Sequence, residues 1–149
     1  MANVSKVFFA TAPKLRAVMD RMHTSDVVDL CSGGGGPWLT LQRDLARSGP
    51  VNVVLSDRYP NMKTLGGVCA RSSGRLHVQV DAVDATDVPS ELAGVRTMFN
   101  ALHHFTPAIA TQILADAVRQ RRAVASWRVS ITEGSVCSQY AYSCRRSCC

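Results

Sequence analysis

Four consecutive glycines, Gly33–Gly36, stand between the β-branched run VVDL (27–30) and an apolar-periodic stretch that begins at Trp38. Glycine loses more backbone freedom on folding than any other residue, so a run of four is unsuited to a strand or helix interior and marks a loop. Upstream, DVVDL (26–30) has the short β-branched composition of a buried strand. Downstream, Pro37 suits the first helical position, where its missing N–H costs nothing. Trp38, Leu39, Leu41, Leu45 and Ala46 then follow at helical spacing until Ser48-Gly49-Pro50 ends the helix. A strand, a glycine loop and a helix in that order open a βαβ unit.

The alternation continues along the chain. KLRAVMDRMH (14–23) predicts a helix with Leu15, Val18, Met19 and Met22 on one face. VNVVLSD (51–57), LHVQV (76–80), VRTMFN (95–100) and AVASWRVSI (123–131) predict further strands. Helices are expected over 60–71, weakened by Gly66 and Gly67, and from Pro107 through Val118. Such alternation implies an α/β domain over residues 1–131: an open, mainly parallel sheet with helices on both faces and right-handed crossovers. Ligands in sheets of this kind bind beyond the carboxyl ends of the strands, where the strand order reverses.

Composition narrows the functional classes. At 46% hydrophobic and 19% charged residues the chain is globular in character. No apolar run reaches the ~20 residues of a membrane span, and Pro13 interrupts the brief apolar stretch near the start, so neither membrane nor signal peptide is expected and a cytoplasmic location is the default. The net charge of +6 is concentrated: residues 119–149 hold six arginines against Glu133, leaving the rest nearly neutral. That placement argues against nucleic acid as the partner. Four of the six cysteines, Cys137, Cys144, Cys148 and Cys149, fall in the same region. Only Cys144 and Cys148 have a spacing suited to zinc, so no metal site is expected.

Every residue with evident chemistry lies just past a predicted strand. Asp29 and the glycine loop follow the first, Asp57 the second, Asp84-Ala85 the third, and Asn100, His103 and His104 the fourth. A dinucleotide fingerprint would need glycine at position 38, where an indole stands, and no phosphate-cradling G-x-x-x-x-G-K-[ST] occurs. Asp57 is placed to accept from two ribose hydroxyls, with a solvated turn as the alternative. Asp84 offers a carboxylate beside the Ala85 N–H, matching one edge of adenine; an Asx-type turn is the alternative. Taken together these features describe an adenosine-type ligand without a pyrophosphate.

VVDLCSGGGG resembles motif I of the class I S-adenosylmethionine-dependent methyltransferases, usually D-x-G-x-G-x-G. LSDRYP resembles the acidic second motif, DATDVP the third, and TMFNALHHF the segment after the fourth strand. The resemblance covers roughly residues 14–122 and implies a Rossmann-like fold with S-adenosylmethionine as cofactor. It implies that Asp29, Cys31, Ser32 and the loop from Gly33 through Gly34, Gly35 and Gly36 hold the methionine part. Asp57 would serve the ribose and Asp84 with Ala85 the adenine, with Arg58 and Asn100 also among the cofactor-binding residues. Asn100, His103 and His104 would lie where donor methyl and acceptor meet, a histidine being the candidate base. Cys31 departs from the pattern by standing where the first motif glycine belongs.

Methyl transfer from a sulfonium is an in-line displacement that needs alignment above all, so the lack of a catalytic triad does not argue against it. The methyl acceptor is not legible in the sequence, a small molecule being favoured. A non-catalytic module binding the same adenosine ligand is the alternative function. Residues 132–149 read as an irregular Cys/Arg/Ser-rich tail in place of the family's terminal antiparallel hairpin. The change in composition near Arg122 is what a shifted reading frame would leave. A sheet ending at strand five would expose an unpaired edge inviting self-association.

Overall fold

The computed structural model describes the backbone of residues 10–132 and 135–143, and side-chain surroundings for residues 10–128. Its elements, in chain order, are α1 (Thr11–Arg21), β1 (Asp26–Asp29), α2 (Trp38–Ala46), β2 (Asn52–Leu55), α3 (Met62–Ala70), β3 (Leu76–Val78), β4 (Val95–Phe99), a 3₁₀ turn (Leu102–His104), α4 (Pro107–Arg119), β5 (Val124–Thr132) and β6 (Ser135–Ser143). The strands form one sheet in the order β3-β2-β1-β4-β5-β6. β1 to β5 are parallel and β6 is antiparallel. The order reverses between β1 and β4, which places the crevice for a ligand above those two strands.

Successive residues of a strand point to opposite faces, and β1 shows this directly. Val27 joins a cluster with Leu15 and Met19 of α1, Trp38, Leu41 and Leu45 of α2, and Leu65 and Val68 of α3. Val28 joins a second cluster on the other face with Met98, Val83, Val88 and Ile113 of α4. Three helices therefore cover one face, while α4 and the long β3–β4 connection cover the other. Among the described residues no helix is long and apolar enough to cross a membrane.

The starts of α1 and α2 differ from expectation. α1 starts at Thr11, ahead of Pro13; a proline within the first turn removes no helical hydrogen bond. Pro37 caps α2 rather than opening it, its carbonyl accepting from the Leu41 N–H at 2.9 Å. One glycine outside the loop is also fixed by geometry. Gly94 has φ +132°, and a Cβ there would collide with the Asp26 carbonyl oxygen.

The reading of residues 132–149 as an irregular tail is corrected for Ser135–Ser143. These residues form β6, paired with β5 from Thr132↔Ser135 to Val124↔Ser143. The edge of β5 is thus occupied, and β6 becomes the sheet's boundary on that side. Strand pairing is carried by backbone hydrogen bonds, which hydrophobic periodicity does not report. The segment's Val136, Tyr140 and Tyr142 are also residue types favoured in strands. The two-stranded hairpin that the resemblance implies beyond β5 has no counterpart among the described residues, where a single strand follows. The zinc-spaced pair Cys144 and Cys148 lies outside the described residues, as does the side chain of Cys137.

Candidate functional site

Asp29 ends β1 with only 2% of its surface exposed. Parallel register sets it opposite Thr97 of β4, whose hydroxyl donates to Oδ1 at 2.7 Å. The Ser32 hydroxyl donates to Oδ2, also at 2.7 Å. The Asp29 carbonyl oxygen accepts from the Ser56 N–H at 2.9 Å and the Ser56 hydroxyl at 2.8 Å. Burial pushes the carboxyl up to about 6. The hydroxyls of Thr97 and Ser32 work against that rise, and the negative charge of Asp57 adds to it. The Trp38 indole N–H also lowers it, without meeting hydrogen-bond geometry. With both oxygens engaged below the surface, Asp29 sets the shape of the glycine loop through Ser32.

The loop itself is tightly wound. The Gly35 N–H donates to the Ser32 carbonyl at 2.7 Å, and the Trp38 N–H to the Gly35 carbonyl at 3.2 Å. Gly33, Gly35 and Gly36 all have positive φ, and a Cβ on Gly35 would press on Val68 at 3.1 Å. Gly34 is required by neither: its φ is ordinary and a Cβ would meet nothing within 4 Å. At Gly33 a Cβ likewise meets open space. The outer rim of the loop is bare backbone facing outward, over a floor of Trp38, Phe99 and Trp127, the last two stacked at 4.9 Å. Cys31 has φ +57°, so the first motif position keeps the left-handed backbone of a glycine while carrying a side chain.

The loops after β2 and β3 close on this rim. Asp57 Oδ2 accepts from the Gly33 N–H and Oδ1 from the Tyr59 N–H, each at 2.9 Å. Asp84 Oδ1 accepts from the Thr86 N–H at 2.9 Å and the Thr86 hydroxyl at 2.7 Å; these bonds hold its carboxyl below the usual range, as does the charge of Arg58. Arg58 Nη1 lies 3.5 Å from Asp84 Oδ2. The turn expected as an alternative at Asp84 is therefore present, and it uses one oxygen only. Beside it the Ala85 N–H has no partner among the described residues. Burial pushes the Cys31 thiol up to about 11, with further contributions from Asp57, Asp29 and Asp84. Three acids from three strand ends thus act on one point of the loop.

Asn100 follows β4 with φ +54°, a conformation asparagine tolerates better than most residues. Its N–H donates to the Trp127 carbonyl at 2.8 Å, fixing the start of the turn. His103 and His104 are exposed in the 3₁₀ turn, their rings 4.1 Å apart and tilted by 37°. The His103 imidazole lies below its ordinary value through desolvation and the charges of His104 and Arg128. That shift favours the neutral form, which can accept a proton. The structure also brings in residues that the sequence reading passed over: Thr97 and Ser56, which hold Asp29. Their signal was a hydroxyl inside or at the end of a strand covered on both faces.

No protein-family model matches the chain, and no curated protein matches it. Solved structures do. The described architecture is the fold of the class I S-adenosylmethionine-dependent methyltransferases. An O-methyltransferase family protein from Burkholderia thailandensis superposes with a TM-score of 0.58 at 13% identity, over 87% of this chain and 40% of that one. The O-methyltransferase NcsB1 from neocarzinostatin biosynthesis, in complex with S-adenosyl-L-homocysteine and 1,4-dihydroxy-2-naphthoic acid, gives 0.61 at 20% identity over 80% and 35% of the two chains. The methyltransferase domain of bacterial CtHen1 gives 0.57 at 14% identity over 85% and 72%. This chain thus spans about 40% of the length of the Burkholderia protein.

Proposed function

We propose that this chain binds S-adenosylmethionine and belongs to a methyltransferase acting on a small-molecule acceptor. The observation that carries the reading is the gathering of three acids from three strand ends around the glycine loop, Asp29 beneath it and Asp57 and Asp84 beside its open rim. A site lined by carboxylates disfavours a pyrophosphate and favours a ligand with net positive charge, as an amino acid bearing a sulfonium has. The residues fit such a group in three places. Ser32 and the bare Gly33–Gly34 backbone face the amino-acid end, Asp57 the ribose hydroxyls, and Asp84 Oδ2 with the free Ala85 N–H the adenine edge. When bound, S-adenosylmethionine would supply a methyl group activated by the sulfonium. Asn100 stands at the switch point between β1 and β4, and His103 is the neutral base within that turn. Neighbours that are O-methyltransferases favour a hydroxyl as the acceptor group.

Calorimetric titration with S-adenosylhomocysteine and with NAD tests the reading. Binding of the first and not the second is expected, along with a rise in melting temperature by mass action. Asp57→Ala should weaken that binding by about 1–3 kcal/mol, since it removes acceptors for two hydroxyls. NAD binding without S-adenosylhomocysteine binding would refute the proposal. Binding without turnover on a panel of hydroxylated acceptors would leave the non-catalytic module as the function.

A further inference from the structure

The segment carrying Asp84 and Ala85 belongs to the long connection between β3 and β4, which contains no helix among the described elements. What holds it is a group of side chains from the opposite side of the connection. Both backbone polar groups of Val88 are taken by α4 and its cap: the N–H donates to Asp116 Oδ2 at 3.3 Å, and the carbonyl accepts from Gln120 Nε2 at 2.7 Å. Gln120 Nε2 also reaches both Asp116 oxygens at 3.2 Å. Arg119 bridges Asp116 Oδ1 and Asp87 Oδ1. The Asp87 N–H in turn donates to the Asp84 carbonyl at 3.1 Å. Asp116 is anchored from beneath by Arg96 of β4, which is fully buried and 2.7 Å away.

We propose that Asp116 and Gln120 are positioning residues for the adenine subsite, a clamp that fixes the edge formed by Asp84 Oδ2 and the Ala85 N–H. The inference rests on the adenosine-ligand reading above. Burial alone calls for partners on the Val88 N–H and C=O, but it does not call for a second tie at the exposed Asp87, three residues past Asp84. The bonds to Val88 hold the consecutive peptides 87–88 and 88–89, and the Asp84 carbonyl that accepts from Asp87 belongs to the same peptide as the Ala85 N–H, so its rotation is tied as well. Rotation is what decides whether the Ala85 N–H, three residues upstream, lies in the plane of a base.

The test compares two ligands that differ only at that edge, S-adenosylhomocysteine and S-inosylhomocysteine, whose hypoxanthine presents a donor at N1 and an acceptor at C6. The unmodified protein is expected to favour the adenine ligand by about tenfold or more, because the reversed edge leaves two polar pairs mismatched. Gln120→Leu spares the buried Arg96–Asp116 pair and should cut that ratio by about threefold or more, at an unchanged circular dichroism spectrum. Asp116→Asn should cut it further; if that variant does not fold, Gln120→Leu decides the matter alone. Equal losses for both ligands, leaving the ratio intact, would reduce Gln120 to a structural role and overturn the inference. An unmodified protein that binds neither ligand overturns the adenosine-site reading itself, and the clamp with it, before any variant is made.

Discussion

Asp29 and Asp116 are both buried aspartates, with 2% and 3% of their surface exposed, yet their surroundings drive them in opposite directions. Asp29 at the carboxyl end of β1 has only hydroxyl donors and stands among other acids, so burial dominates and its carboxyl rises to about 6. For Asp116 burial is again the largest influence and again raises the value. It is outweighed by the hydrogen bond and charge of Arg96, with the Val88 N–H and Gln120, and the carboxyl is held below its usual range. The difference separates two tasks. An acid neutralised in place is a strut between α4 and the sheet. An acid left without a cation keeps its charge at the start of the glycine loop, at a cost in stability.

Removing each acid should show this most strongly. Asp116→Ala leaves the Arg96 guanidinium buried and unpaired, and should destabilise the fold by about 3–5 kcal/mol. Asp29→Asn at pH 7 should change stability by less than about 1 kcal/mol, since relief from burying a charge offsets the lost acceptor. Urea denaturation of both variants measures the pair. Equal losses would mean that the two sites are structural alike.

Their pH dependences should run in opposite senses. The folded-state pKa of Asp29, about 6, lies above the unfolded value of about 3.9. Its contribution is therefore complete below pH ~4 and is lost as pH rises through 6, an effect on the order of 2–3 kcal/mol. Asp116 has a depressed folded pKa, so its contribution is complete above the unfolded value and is lost as pH falls through the folded one. Denaturation midpoints from pH 4 to 7 for the unmodified protein and Asp29→Asn isolate the first slope. A stability difference between them that does not change with pH would show that Asp29 does not titrate in this window.

This contrast also marks what could be read from the sequence. The strand ends were legible because DVVDL, VNVVL and LHVQV are compact β-branched or apolar runs bounded by glycine, acid or turn residues. The acids at those ends, Asp29, Asp57 and Asp84, came with them. Their partners did not, because these depend on strand register. Thr97 reaches Asp29 across 68 positions of sequence, and no local pattern records that distance. The available clue was chemical: Arg96 and Thr97 are polar residues within a central parallel strand, where both faces are covered. β6 escaped for another reason, since its pairing comes from backbone groups. Gly94 gives no motif signal at all; only the approach of the Asp26 carbonyl makes it obligatory.

Ligand binding should sense Asp29 as well. An acid with pKa near 6 falls from about 90% to about 10% ionised between pH 7 and 5, while Asp84, held below its usual range, stays charged. Affinity for S-adenosylhomocysteine, whose amino group is cationic throughout, should therefore weaken about tenfold over that interval. Calorimetry at the two pH values measures it. In Asp29→Asn the pH dependence should vanish; a tenfold change persisting there would assign the titration to another group.

The smallest effect concerns backbone strain in the glycine loop. Cys31 holds φ +57° where the resembling motif has glycine. A left-handed conformation costs a side-chain-bearing residue roughly 1–2 kcal/mol. Cys31→Gly removes that cost, gives back some of it through the greater freedom of glycine in the unfolded chain, and forfeits the packing of a half-buried thiol. The balance should be a gain of about 0.5–1 kcal/mol in urea denaturation, with the loop's hydrogen bonds to Ser56 and Asp57 intact. A loss of stability would mean that the thiol's contacts outweigh the strain. The packing of the half-buried thiol, and not the left-handed backbone, would then decide what position 31 contributes to the stability of the loop.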